Sequence, residues 1–137
     1  MTPDVALGKL ASLERALNRI RTVTGGKPEA IDDLDVEEIV VLNLQRAIQS
    51  TIDLAAHLIS GRGWGLPDSL KAHFRILDER KVIDPALSTR LQAMIGFRNV
   101  AIHDYRKIDR AVLRAILAKH LVDFEVFARD VKTFLGL

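Results

Sequence analysis

An all-α fold, an up-and-down bundle of four main helices plus a short side helix, is predicted by three features of this 137-residue sequence. Aromatic residues are 5% of the chain against 48% hydrophobic residues overall, so the core must be aliphatic and built by helix packing rather than by sheets. Leu, Ile and Val recur at three- and four-residue spacing along successive runs, with no strand alternation between them. Segments rich in Gly, Pro and Asp separate these runs at loop lengths typical of bundles.

The first helix starts at Thr2, Pro3 and Asp4, which supply a capping hydroxyl, a first-turn proline and an acid at the positive dipole end. Leu7, Leu10, Leu13, Leu17 and Ile20 continue it until Gly25-Gly26 stops the run. Beyond Pro28, the run Asp35-Val36-Glu37-Glu38 resembles a capping box with Asp35 in the cap position. A second helix is expected from there to about Ser60, with Val41, Leu44, Ile48, Ile52, Ala55 and Ile59 as its stripe. The cluster Gly61 to Pro67 is a turn holding the only Trp, Trp64, which could stack on a base but in a turn more often plugs a core edge. Asp68 to Arg80 forms the short side helix on Leu70, Phe74 and Leu77. Asp84-Pro85 caps a fourth helix carrying Leu87, Leu91, Met94 and Ile95, and Asp109 caps the last, which carries Val112 to Phe134. Residues 1–137 read as a single domain.

Lys and Arg number 20 against 18 Asp and Glu, so a formal charge of +2 is no argument for nucleic acid by itself. The absence of Cys excludes disulfides, thiolate metal sites and cysteine nucleophiles. No signal-like start and no run of ~18 uncharged apolar residues is present, so a cytoplasmic location without membrane association is the expectation. From Ala93 to Ile102 the fourth helix is apolar or small on every side except at Arg98 and Asn99. A helix apolar all round is buried all round, and in a domain this small the second cover is expected to be another copy of the chain.

That helix ends in Arg98-Asn99-Val100-Ala101-Ile102-His103-Asp104-Tyr105. Arginine presents a fixed fork of donors to phosphate, and histidine is the side chain suited to proton transfer near neutral pH. Together they can cleave RNA through its own 2′-hydroxyl, with no metal required. On a regular helix Arg98 and Tyr105 project almost together, as do Asn99 and His103, whereas Arg98 and His103 diverge by ~140°. A working Arg98-His103 pair therefore needs a helix end near Ala101 or a composite site between two copies. Plainer readings stand beside this one. His103 can be a structural residue at a helix end, Arg98 can pair with an acid such as Asp104 of another copy, and Tyr105 can be a core residue with a wet hydroxyl.

Other candidates are weaker. Arg106, Lys107, Arg110 and Arg114 read equally as a phosphate-binding rim or a solvated face, and Arg15 and Arg19 as ordinary surface. His57, His73 and His120 lack metal-ligand spacing, and Gly25-Gly26-Lys27 lacks the other residues of a phosphate loop.

Arg98, His103 and Tyr105 match the pattern Arg, any four, His, any one, Tyr, with Asn99 directly after the arginine. This resembles the signature of the HEPN superfamily, specifically the HepT-like toxins. The segment Ala47 to Leu54 and the side element Pro67 to Ile83 extend the resemblance over most of the chain. It implies a dimeric helical bundle with a metal-independent ribonuclease site, Arg98 and His103 in the catalytic positions and Asn99 supporting them. It also implies an RNA substrate, no cofactor, and a minimal nucleotidyltransferase antitoxin that transfers AMP to Tyr105, with which the homodimer could form a larger complex. The alternative is a non-catalytic helical dimer that binds a nucleotidyltransferase partner or a nucleotide.

Overall fold

The computed structural model describes residues 3–137, and among them no strand occurs. Helix α1 spans Pro3–Thr24, α2 Leu34–Arg62, α3 Leu70–Glu79 and α4 Pro85–His103. The last rod consists of α5, Arg110–Ala115, a π turn at Ile116–His120, and α6, Leu121–Leu135. Four long rods and the short α3 match the predicted bundle. Thr2, the expected cap of α1, lies outside the described residues.

The observed caps correct two expectations. Helix α2 is capped by Asp33, whose carboxylate accepts from the backbone N–H of Asp35 and Val36, so Asp35 lies inside the first turn and forms no capping box. A 3-10 turn at Pro28–Asp32 presents Asp33 at that place, and Gly63, with φ 66°, closes the helix in the left-handed conformation that glycine tolerates. Helix α3 starts at Leu70 rather than at Asp68, with Ser69 as its cap accepting from the Ala72 N–H. Asp84 and Asp109 cap α4 and α5 as expected.

Helices α1 and α2 form an antiparallel hairpin, α3 lies on α2 and α4, and α4 and α6 close the bundle. Leu13, Ile20, Leu44, Ile48, Leu58, Phe74, Phe124 and Phe127 are fully buried in one aliphatic core with a few phenylalanines. Phe74 of α3 meets Phe127 of α6 edge-on at 6.2 Å, which fixes the side helix to the last rod. Trp64 does plug a core edge: it packs on Phe134 at 5.7 Å, with the Arg80 guanidinium 5.5 Å above its ring. No helix among the described residues is long and apolar enough to cross a membrane.

Candidate active site

Arg98 sits half-buried on α4 and turns toward α2, where its Nη2 donates to Gln49 Oε1 at 3.0 Å. The orientation of Gln49 is set from behind, because its Nε2 donates to Asp53 Oδ1 at 2.8 Å and Asp53 can only accept. Lys9 of α1 completes the chain, with Nζ 3.0 Å from Asp53 Oδ2. Residues 49 and 53 are neighbours on one helix face, four positions apart, which is why one can hold the other. The outcome for Arg98 is chemical: its partner is a neutral carbonyl, so its positive charge is oriented but not neutralised. Arg90, Arg110 and Arg114 instead meet the carboxylates of Asp123, Glu37 and Asp32 at 2.9, 2.6 and 2.6 Å.

Tyr105 lies beyond the end of α4. The helix stops at His103, Asp104 takes the cap position, and Tyr105 opens a 3-10 turn to Lys107. Its hydroxyl donates to Glu37 Oε1 at 3.4 Å, while Arg110 Nη2 donates to Glu37 Oε2 at 2.6 Å. Glu37 is buried and its two oxygens are thereby shared between a phenol and a guanidinium. Burial pushes the Tyr105 hydroxyl above its ordinary pKa, and the neighbouring Glu37 charge adds to the rise. The phenol is therefore held protonated.

Tyr105 and Arg98 thus do not share the helix face that a regular helix through Tyr105 would give them. Their acceptors, residues 37 and 49, are about 18 Å apart along the α2 axis. Nor does the single chain join Arg98 to His103. Helix α4 runs without a break to His103, so the ~140° divergence holds: Arg98 faces α2 and His103 faces solvent. Asn99 is exposed on the His103 side, one turn back.

Several apolar side chains are exposed toward this end of α4 and on α5. Val100 and Ile102 of α4 and Val112 of α5 are 39%, 51% and 46% exposed. A groove of about 450 Å³ between α4 and α5 continues this surface over Ala93, Phe97, Val100, Ile108 and Val112. Of the basic residues after the motif, which read equally as a phosphate rim or a solvated face, Arg106, Arg110 and Arg114 pair with Asp104, Glu37 and Asp32.

Residues 13–131 match the sequence model of the family HepT-like, described as Ribonuclease HepT-like. The chain belongs to this family. It is 33% identical over 129 residues to the mRNA nuclease HepT of Shewanella oneidensis, covering 94% of this chain and 97% of that protein. Its fold is similar to a tri-AMPylated Shewanella oneidensis HEPN toxin solved in complex with its MNT antitoxin, with TM-score 0.90 and 32% identity over 96% of this chain and 99% of the other. A toxin-antitoxin complex with AMP-PNP is similar at TM-score 0.89 and 32% identity, covering 96% and 100% of the two chains. The HEPN fold implied by the sequence motif is therefore the fold of the chain.

Gln49, Asp53 and Glu37 were missed as site residues by the sequence reading. Gln49 and Asp53 carried a visible signal, an amide and an acid four apart on one helix, inside the same Ala47 to Leu54 segment that carries the family resemblance. Glu37 gave none, since it was read as part of a capping box.

Proposed function

We propose that this chain is the cytoplasmic toxin of a toxin-antitoxin pair, a metal-independent RNA endonuclease acting through Arg98 and His103 at the cleft of a homodimer. The observation that carries the reading is an arginine held by a neutral partner, Gln49, one and a half turns before an exposed histidine, in a chain of the HepT-like family. The exposed Val100, within a turn of His103 on α4, and the apolar groove it lines together with Val112 support the dimer, because a second copy would bury them and bring its own motif helix against this one.

In the reaction, His103 accepts the proton of an RNA 2′-hydroxyl while that oxygen attacks the adjacent phosphorus. The bond from phosphorus to the 5′-oxygen breaks, and the equivalent histidine of the second copy protonates the leaving oxygen. The products are a 2′,3′-cyclic phosphate and a 5′-hydroxyl. Arg98 stabilises the charge that gathers on the phosphoryl oxygens, a role typically worth ~3–4 kcal/mol. Asn99 positions His103 or the phosphate.

Tyr105 is the AMP acceptor for a minimal nucleotidyltransferase antitoxin, in line with the AMPylated relative. Glu37, already hydrogen-bonded to the phenol, is placed to orient its oxygen for transfer. Because Tyr105 and Arg98 are held at separate places on α2, the added phosphate acts by filling the mouth of the cleft with charge and bulk rather than by pairing with Arg98 of the same chain.

The test is incubation of the purified chain with RNA in EDTA and mapping of both product ends. Cyclic phosphate termini that disappear in His103→Ala support the nuclease; equal products from both proteins would sink it.

A further inference from the structure

We propose that the groove between α1 and α2 is a track for the phosphate backbone of single-stranded RNA, delivering the strand to Arg98. The proposal rests on the nuclease reading above. The groove has a volume of about 690 Å³ and is lined by Arg15 and Arg19 from α1 and by Leu42, Arg46 and Gln49 from α2. On each helix the lining positions recur at three- and four-residue intervals, so two facing stripes form its walls.

Its charge is one-sided. No Asp or Glu is among the lining residues. Arg15 donates only to the Ser12 hydroxyl, at 3.1 Å, and among the described residues Arg19 and Arg46 have no side-chain partner. Most arginines elsewhere meet an acid: Arg21 pairs with Glu125, Arg90 with Asp123, Arg110 with Glu37, Arg114 with Asp32 and Arg129 with Asp130, while Arg75 donates to the Ser69 hydroxyl and stands apart from any other such arginine. Arg62 and Arg80 lie over the rings of Phe134 and Trp64. Three exposed guanidinium groups gathered without an acid repel one another, and that arrangement has no structural benefit. It is the arrangement a polyanion would complete.

The groove is also aimed. Because α1 and α2 run antiparallel, Ser12 and Gln49 stand at the same end of it, and Gln49 is the residue that holds Arg98. Arg15 and Arg19 are spaced about 6 Å along the axis, so they can meet successive backbone positions rather than one ion. Leu42, 45% exposed on the wall, offers an apolar surface to the base or sugar between charged contacts. Phosphate contacts of this kind position a strand without reading its sequence.

Binding is measured by fluorescence anisotropy of a labelled single-stranded oligoribonucleotide on a His103→Ala background, so that cleavage cannot interfere, with and without Arg15→Gln, Arg19→Gln and Arg46→Gln together. A control protein carries Lys71→Gln, Arg75→Gln and Arg129→Gln, which removes the same charge elsewhere. Cleavage of a dinucleotide, too short to reach the groove, is followed in the His103-containing proteins, and circular dichroism checks that each is folded.

The groove variant is expected to bind the oligonucleotide at least tenfold more weakly at low salt. Its slope of log affinity against log salt should be shallower by about 2, since each single-strand phosphate contact contributes about 0.7. Its dinucleotide cleavage should match that of the native chain. Unchanged binding and slope, or an equal loss in the control, overturns the track while leaving the nuclease standing. Loss of antitoxin binding with RNA binding intact overturns it too, in favour of an acidic protein surface. Absence of any cleavage by the native chain counts against the nuclease reading, and the anisotropy result still decides the groove.

Discussion

Arg98 is held by Gln49 and, among the described residues, by no carboxylate: Nη2 to Oε1 is 3.0 Å, with Asp53 fixing the amide from the other side at 2.8 Å. A guanidinium so placed is ordered yet keeps its charge for an incoming phosphate. This separates the motif arginine from Arg90, Arg110 and Arg114, whose charges are taken by acids of the chain itself.

Gln49→Glu keeps the shape of the acceptor but gives it a charge. Arg98 would then be neutralised before substrate arrives, and the new carboxylate would stand against Asp53. A fall of tenfold or more in RNA cleavage is expected with helicity retained by circular dichroism. Native rates in this variant would show that the neutrality of the acceptor has no role.

Removal of the guanidinium itself should cost more. Arg98→Ala is expected to lower the rate about 10²- to 10³-fold, the usual effect of losing one donor aimed at developing charge. Measured under single turnover, the loss should fall on the chemical step. A defect confined to RNA affinity would assign Arg98 to binding alone.

The caps Asp84 and Asp109, the aliphatic core and the side helix were legible because each rests on residues close in sequence. Asp35 was mistaken for a cap because the 3-10 turn that brings Asp33 into place depends on packing of Ile31, fully buried beneath it. The π turn at Ile116–His120 was likewise invisible, since its residues are ordinary helix formers; in the structure it lies where Arg90 Nε and His120 Nδ1 converge on the buried Asp123 at 2.9 and 3.0 Å. The motif could be read as a pattern, but its geometry could not. Arg98 meets Gln49 across 49 positions of sequence and Tyr105 meets Glu37 across 68, and such contacts leave no local periodicity.

Tyr105 gives a pH test. Its hydroxyl titrates above the ordinary value of 10.0 because burial and Glu37 both disfavour the phenolate. The folded state therefore holds that proton more tightly than the unfolded chain does, so this contribution to stability is complete below pH 10 and is lost as pH rises through the folded value. Denaturant midpoints are expected to drop more steeply above pH 10 for the native chain than for Tyr105→Phe. Parallel curves would remove the coupling. With one tyrosine in the chain, phenolate absorbance reports the same titration without ambiguity.

Regulation should separate from catalysis at that residue. Tyr105→Phe is expected to cleave RNA at close to the native rate and, after co-expression with the neighbouring nucleotidyltransferase, to carry no AMP-sized mass on the motif peptide. Glu37→Gln should slow AMP addition without abolishing cleavage. AMP found on another residue, with the native tyrosine unmodified, would end the regulatory role.

The apolar face bears on assembly. Ile102→Asp places a charge on a side chain 51% exposed in the single chain, so a monomer should tolerate it with a stability change within about 0.5 kcal/mol. In a dimer packed through α4 the same charge would be buried without a partner. Sedimentation is expected to show the native chain as a dimer and the variant as a monomer, with cleavage lost. A dimer of unchanged affinity would move the interface elsewhere.

The most direct test of the motif is the single-turnover rate of RNA cleavage in EDTA for the native chain against His103→Ala. A native rate unaffected by EDTA and a loss of 10²- to 10⁴-fold in the variant, the usual range for a general acid-base residue, is the expected result. Equal rates for the two proteins would contradict a ribonuclease site built on Arg98 and His103.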